Sequence, residues 1–358
     1  MKRDTAACPH CGRSGKKAAA KPAYLAVSAL MLAVSVYFWY LPPRGRAAGA
    51  PAAGRDPYGG LSAEAQAYIL SPEAAPACGA CMASAGDFMK RRRREALAAR
   101  TGGMALVPAG EYPIGSPEGV GDPDEHPLHL VRLAAFYLDT KETTIAEYMQ
   151  FAGSARAHYP EWSAPGGKFN VETGTYTYYR RLSGLITSCP DCPVFGVTAG
   201  DAAAYCAARG KRLPTEAEWE AAARAGSSEA FSFGAASGIG DYAWYAGNSA
   251  GVPHAVGTRR PNAFGLYDMH GNVWEWTSDL YDKKYYAESP AVAPAGPPAG
   301  REHVLRGGSW DFDADSLRSG NRASSFKAND DIGFRCAAGL AELEGLAERD
   351  VSGPGEGT

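Results

Sequence analysis

Three stretches in the middle of the chain predict helices that begin with a capping box. A Ser or Thr followed three residues later by an acid satisfies two of the free N–H groups at a helix start. After the first of these boxes, Ile145, Tyr148, Met149 and Ala152 fall on one helical face. The residues between the helices show short apolar runs and many turn residues, which indicate strands and loops. The three boxes are Thr144 with Glu147, Thr198 with Asp201, and Thr215 with Glu218.

A longer apolar run extends from Ala23 to Leu41 and carries no charge. It is about the length that a helix needs to cross a bilayer. Six basic residues precede it, whereas the arginines that follow are more widely spaced, so the positive-inside rule places the N-terminus in the cytoplasm. A cleaved signal peptide is the alternative, since small residues follow the run. The pattern favours a retained single-pass anchor in the inner membrane, with the rest of the chain periplasmic or extracellular.

The rest of the chain divides by composition. Residues 42–100 are rich in Pro, Ala and Gly and predict a spacer, which includes a CxxC pair and an arginine cluster. The tail is acidic and contains Gly and Pro, which is typical of disorder. We predict a basic cytoplasmic segment (1–22), a transmembrane helix (23–41), the spacer (42–100), a folded domain (101–345) and a disordered tail (346–358).

Charge and composition exclude one class of partner and favour one kind of fold. The 358 residues include 36 basic and 39 acidic side chains, which gives a net charge of −3 and no general attraction to nucleic acid. Glycine at 43 residues, proline at 25 and aromatics at 11% suit a loop-rich domain held together by large aromatic side chains.

The eight cysteines include three CxxC pairs. Cys8 and Cys11 resemble half of a zinc ribbon, but a complete site needs four ligands. Either two chains share one zinc ion, or the pair is a vestige or a free dithiol. The other two CxxC pairs predict short disulfides, although the 189/192 pair could instead be a redox-active dithiol. These pairs are Cys78 with Cys81 and Cys189 with Cys192.

Two stretches near the C-terminal end carry a family resemblance. Gly265–Trp276 places two glycines, two tryptophans and two carboxylates within twelve residues, and Leu305–Trp310 leads on to Ile332–Cys336. Together they resemble the formylglycine-generating enzyme and sulfatase-modifying-factor family, and the resemblance covers roughly residues 101–340. It implies an α+β fold of the C-type-lectin-like kind with little regular secondary structure. Further matching segments are Met104–Gly110, Phe136–Asp139 and Gly210–Trp219.

The resemblance also implies a disulfide and a calcium site. Cys206 and Cys336 stand where the family has a long-range disulfide, which would require an oxidising compartment. The Gly265–Trp276 loop matches one that binds a structural calcium ion in the family through side-chain and backbone oxygens. The ligands implied here are Asp268, Glu275 and the carbonyls of Gly271 and Val273.

The family's copper-binding cysteines are missing from this chain. Aligned on Arg306–Ser309, their places are taken by Phe312 and Leu317. Neither side chain can bind copper(I) as a thiolate, so we expect neither copper nor formylglycine formation.

The segment from Ser309 to Arg322 matches a ligand-facing surface of the lectin-like fold. We predict a membrane-anchored, non-catalytic binding or accessory module that recognises a protein or small molecule there. Internal ion pairs are the alternative reading of its charges. The alternative function is an oxidoreductase that uses a different metal site or the Cys189/Cys192 dithiol. The candidate ligand-binding residues are Ser309, Trp310, Asp311, Asp313, Asp315, Arg318, Asn321 and Arg322.

Overall fold

The computed structural model describes residues 101–340 and 342–343. The predicted cytoplasmic segment, anchor and spacer, with Cys8, Cys11, Cys78 and Cys81, lie outside the described residues, as does the predicted tail. Within the described part, no helix is both long and apolar enough to cross a bilayer.

The described part of the chain contains nine short strands, which form three separate sheets. The first sheet has the order β1-β4-β9 and is antiparallel throughout, and the second is the hairpin β2-β3. The third has the order β7-β6-β5-β8, in which only β5 and β8 run parallel. The strands are β1 Met104–Val107, β2 Gly110–Ile114, β3 His129–Leu133, β4 Phe136–Asp139, β5 Trp274–Leu280, β6 His303–Arg306, β7 Ala323–Ser325, β8 Ile332–Gly333 and β9 Ala337–Gly339.

In residues 101–340, five α-helices connect and cover these sheets. The capping boxes at Thr144, Thr198 and Thr215 are all present, and each threonine accepts a hydrogen bond from the backbone N–H three residues later. The sequence therefore predicted three helix starts correctly. The helices are α1 Ile145–Ala155, α2 Ser183–Ser188, α3 Ala199–Ala207, α4 Glu216–Arg224 and α5 Ile239–Tyr242.

One of the large apolar clusters of the core lies between α1, α3 and the four-stranded sheet. Trp276 of β5 is buried there, and its indole Nε1 donates to the Val197 carbonyl at 3.0 Å. The disulfide between Cys206 of α3 and Cys336 lies in the same apolar cluster, so the pairing implied by the family resemblance is confirmed. It joins residues 130 apart in sequence. The mixed α+β fold is likewise confirmed.

Candidate functional site

The tryptophan-rich loop ends in a buried ion pair. Glu275 of β5 accepts hydrogen bonds from Arg335, at 2.7 Å from Nη2 and 2.8 Å from Nε, and from Trp219 Nε1 at 2.9 Å. The Glu275 and Arg335 side chains are almost completely buried. Both oxygens of this predicted calcium ligand are therefore already hydrogen-bonded within the protein.

Asp268, the other predicted carboxylate ligand, keeps one oxygen free. Its Oδ2 accepts from the backbone N–H of Gly257 at 2.6 Å, whereas its Oδ1 is buried and has no hydrogen-bond partner. Its φ of 58° is left-handed, a conformation that aspartate tolerates better than most residues. Burial raises the pKa of Asp268 to about 6. An unsatisfied, desolvated carboxylate oxygen is a favourable place for a cation.

A third carboxylate, which the sequence did not indicate, lies behind this loop. Glu142 is buried and accepts from Asn272 Nδ2 at 2.6 Å and from the Val273 N–H at 3.1 Å. Its pKa is well above its ordinary value because of burial and because of the charges of Asp268 and Glu275. Glu142, Asp268 and Glu275 are therefore three carboxyl groups that interact with the single positive charge of Arg335. The signal that could have found Glu142 is its place just before the first helix cap.

These residues fit a hard cation such as calcium, which prefers carboxylate and carbonyl oxygens. Asp268 Oδ1 offers an unused oxygen, and Gly271 and Val273 belong to the same turn. Glu275 would share its oxygens with Arg335. Within the described residues, no group of three or more His, Cys, Asp or Glu side chains is arranged to hold a metal ion. A calcium ion would therefore depend on backbone carbonyls as well as on Asp268, and the site stays a prediction.

The two positions aligned with the family's cysteines lie in different environments. Leu317 is fully buried and packs in an apolar cluster with Phe231 and Ile239. Phe312 is 40% exposed and makes an edge-to-face contact with Trp274, with ring centroids 5.5 Å apart. One position is core and the other is surface.

All four cysteines in the described part are oxidised. Cys189 and Cys192 form a disulfide in a loop that lies against the N-terminus of α1. The Cys192 carbonyl accepts from the Ile145 N–H in the first turn of that helix at 2.8 Å. The predicted structural disulfide is thus present, and it holds the loop that caps α1.

The predicted ligand-binding residues fall into two groups. Asp311, Asp313 and Asp315 are exposed and, with Phe312, form what we call the Asp311–Asp315 surface. The buried group does not face solvent, because its side chains lie in the interior or in internal ion pairs. Its members are Ser309, Trp310, Arg318, Asn321 and Arg322.

The two arginines of the buried group form two-pronged ion pairs. Arg322 reaches Glu216 of α4, with Nε–Oε1 at 2.6 Å and Nη2–Oε2 at 2.9 Å. Arg318 pairs in the same way with Glu125. Such geometry is the strong form of an arginine–carboxylate contact. These contacts are the internal ion pairs that the sequence left open as an alternative.

Trp310 is covered by a segment that sequence reasoning did not connect with it. The Arg181 guanidinium lies over the indole, 5.0 Å from the ring centroid, and pairs with Asp330 at 2.5 Å. Tyr178 donates to the same carboxylate at 2.9 Å. The segment Tyr178–Leu182 therefore closes over the cleft below the Gly-Gly-Ser turn. The available signal was the Asp330-Asp331 pair just before β8.

Ser309, which begins this cleft, donates to Asp331 Oδ2 at 3.1 Å. Burial and the neighbouring Asp330 raise the pKa of Asp331 to about 6. The cleft thus contains a hydroxyl, acidic groups and aromatic rings. Within the described residues it offers no free thiol, because each cysteine there is in a disulfide.

The fold and this arrangement of loops define a family. Residues 90–340 match the sulfatase-modifying factor enzyme 1-like domain, and the chain belongs to that family.

Individual relatives show how the family varies. The formylglycine-generating enzyme of Streptomyces coelicolor is 35% identical over 284 residues, which cover 66% of this chain and 89% of the relative. The inactive Cα-formylglycine-generating enzyme 2 of the mouse is 29% identical over 280 residues, covering 66% and 85% of the two chains. Among solved structures, PvdO from Pseudomonas aeruginosa is similar with a TM-score of 0.54 and 30% identity, covering 66% of this chain and 94% of PvdO.

Proposed function

We propose that the protein is a membrane-anchored, extracytoplasmic binding or accessory module without formylglycine-generating activity. The observation that carries this proposal is the environment of Phe312 and Leu317. A buried leucine and a half-exposed phenylalanine occupy the two places that would need thiolates. Copper(I) requires soft sulfur ligands, which neither side chain supplies.

Two further points support a non-catalytic role. A relative of comparable coverage is named as inactive, so the fold is found without the activity. The Tyr178–Leu182 segment also covers Trp310, which leaves little open surface over the cleft.

The Asp311–Asp315 surface is the proposed place of binding. Asp311 and Asp313 form no ion pair within the described part of the chain, and the Asp315 side chain is 91% exposed. Phe312 adds an exposed ring between the acids. Exposed acids beside an aromatic ring favour a cationic protein segment or small molecule.

The absence of family chemistry can be tested directly. The purified full-length chain would be incubated with copper(I), oxygen and a cysteine-containing sulfatase-type peptide, alongside the Streptomyces coelicolor enzyme. We expect mass spectrometry to show no cysteine-to-aldehyde conversion by this chain. Conversion would overturn the non-catalytic proposal.

The alternative, an oxidoreductase that uses the Cys189/Cys192 dithiol, is favoured by one observation: the pair does form a disulfide. If conversion is seen, Cys189→Ser with Cys192→Ser should remove it under that alternative. Retained conversion in the double variant would point to a different metal site instead.

Binding at the surface can be tested with a fluorescent octalysine peptide. We expect Asp311→Lys with Asp313→Lys to weaken binding at least tenfold, because two attractive charges become repulsive. The exposed Glu118→Lys with Glu172→Lys is the matched control and should bind like the wild type. Equal binding by both double variants would remove this surface from the proposal.

The anchor is tested separately in cells. We expect the chain to stay in the membrane fraction after alkaline carbonate washing, and residues 101–340 to be accessible to protease added outside the inner membrane. Release by carbonate would show that the 23–41 run does not span the bilayer.

A further inference from the structure

A cavity of about 240 Å³ lies at the C-terminal end of α4, where Arg224 lines it. It opens between the loop after β2, the segment that follows α4 and the segment that follows Leu317. Its walls have more apolar than polar surface because of Pro117, Val120 and Ala230, and the other lining residues are polar, charged or glycine. They include Ser116, Arg224, Ser228, Glu229, Arg318 and Gly320.

Both arginines of the cavity are nearly buried but still have N–H groups to offer. The Arg224 and Arg318 side chains are 6% and 7% exposed. Arg318 donates three hydrogen bonds, two to Glu125 and one to Asp315. Arg224 donates to Glu220, to the Gly115 carbonyl and, at a long 3.3 Å, to the Glu229 carbonyl. A guanidinium has five N–H donors, so neither arginine is saturated by the protein.

Arg224 shares its carboxylate partner with a second buried arginine. Glu220 is shared, because it pairs with Arg224 and also with Arg306. Arg306 Nε is buried without a hydrogen bond and lies 3.7 Å from a Glu216 oxygen. Asp315 and Glu229 are exposed to water, so their charges act only weakly on the buried guanidiniums. A further buried acid, Asp279, accepts from the Glu216 N–H. The buried groups that pair with one another are Arg224, Arg306, Arg318 and Arg322 with Glu125, Glu216 and Glu220.

Gly320 packs closely against Ser116, Glu125 and Arg224 at one wall of this cavity. A Cβ on Gly320 would overlap Ser116 Oγ and would come within 3.3 Å of Arg224 Nη2. The Gly320 backbone therefore passes directly beside the Ser116 hydroxyl and the Arg224 guanidinium. The Ser116 hydroxyl already donates to Glu125 Oε2, so the guanidinium N–H groups are the donors that remain for a ligand.

We propose that this cavity binds a small oxyanion, either a phosphate or a carboxylate group, between Arg224 and Arg318. Planar guanidinium groups match both kinds of oxyanion in geometry. An anion would use the remaining N–H donors of the two guanidiniums. The volume suits a small ion or a single charged group rather than a large cofactor. This site adjoins the Asp311–Asp315 surface through the hydrogen bond from Arg318 to Asp315, but it does not depend on the function proposed above.

The test uses the purified full-length chain, with inorganic phosphate and acetate as probes and chloride at matched ionic strength as reference. We expect at least one oxyanion to bind saturably in calorimetry and to raise Tm above the chloride value, because a ligand of the native state stabilises it. Binding of phosphate alone, acetate alone or both supports the site and identifies the preferred group.

Variants at the mouth of the cavity locate the binding. Ser228→Glu should weaken it by roughly tenfold or more, since a carboxylate would compete for the guanidiniums. Ser228→Gln has the same size without the charge and should weaken binding less. Glu229→Gln removes a competing acid and should strengthen it. Ala236→Glu, an exposed change away from the cavity, should bind like the wild type.

Two results would overturn the proposal. One is that neither oxyanion stabilises the protein more than chloride does. The other is that Ser228→Glu and Ala236→Glu respond equally to the anion, which would indicate a general salt effect.

Discussion

Arg318 and Glu125 form a two-pronged buried ion pair across 193 residues of sequence, with Nη1–Oε2 at 2.7 Å and Nη2–Oε1 at 2.9 Å. Ser116 donates to the same carboxylate at 2.5 Å. Burial alone would raise the pKa of Glu125, but the hydrogen bonds from Arg318, Asp122 and Ser116 lower it overall. This contact ties the loop after β2 to the segment beyond the Gly-Gly-Ser turn.

Breaking that pair should destabilise the domain strongly. We expect Arg318→Ala to lower the free energy of unfolding by about 3–5 kcal/mol, because the Glu125 charge would stay buried without its partner. Urea unfolding followed by tryptophan fluorescence measures this change. Arg132→Ala is the control, since it breaks the exposed pair with Glu111 and should cost about 1 kcal/mol or less. A small loss for Arg318→Ala would mean that the pair is not buried.

The long-range disulfide should contribute more than the short one. In the chain-entropy model, losing Cys206–Cys336 costs about 5 kcal/mol and losing Cys189–Cys192 about 2 kcal/mol, because the first closes a much longer loop. Cys206→Ser with Cys336→Ser, compared with Cys189→Ser with Cys192→Ser, tests this in thermal unfolding. The opposite ranking would show that the α1 loop depends on its short disulfide more than the model allows.

Calcium should raise the thermal stability if it binds beside Asp268. We expect EDTA to lower Tm and calcium to restore it in the wild type, whereas Asp268→Ala should lose this response with its free carboxylate oxygen. Metal analysis of the dialysed protein gives the stoichiometry independently. Asp241→Ala, at an exposed acid, should keep the full response. Calcium stabilisation that survives Asp268→Ala would place the ion elsewhere.

The stability should depend on pH through Asp279. Burial and the nearby Glu216 raise its pKa from 3.8 to about 7 in the folded state. The folded protein therefore holds this proton more tightly than the unfolded chain does. The contribution of Asp279 to the free energy of unfolding is therefore fully present below about pH 4 and is lost as pH rises through 7.

Asp279→Asn should remove that slope, because an amide does not titrate in this pH range. The amide oxygen can still accept from the Glu216 N–H, so the hydrogen bond is kept. Urea unfolding between pH 4 and pH 8 measures the difference between the variant and the wild type. Asp241→Asn should leave the wild-type slope unchanged. If the difference in unfolding free energy between Asp279→Asn and the wild type does not vary with pH, Asp279 does not titrate between pH 4 and pH 8.

The sequence could predict local structure where one short segment contains the whole cause. Thr144, Thr198 and Thr215 each have their capping partner three residues away, so each helix start was readable. The family resemblance likewise implied the Cys206–Cys336 pairing.

The burial of the Ser309–Arg322 segment could not be read in the same way. Arg318 and Arg322 look like surface charges, and only their distant partners Glu125 and Glu216 show that they are internal. Trp310 is a similar case, because its cover comes from Arg181, in an insertion with no pattern that connects the two. Long-range ion pairs depend on tertiary packing, which local patterns do not encode.

The first sheet has a consequence for how this domain can be combined with others. Its first and last strands, β1 and β9, pair with opposite edges of β4, so the described chain enters and leaves through the same sheet. At the usual strand spacing, these two strands lie about 10 Å apart. Met104 pairs with Asp139 and Gly339 pairs with Phe136, so the two chain ends also lie at opposite ends of the short strand β4. A domain whose ends lie in one small sheet can be inserted into a surface loop of a host protein with a short linker on each side. Its architecture is therefore suited to transfer between unrelated proteins as one self-contained cassette.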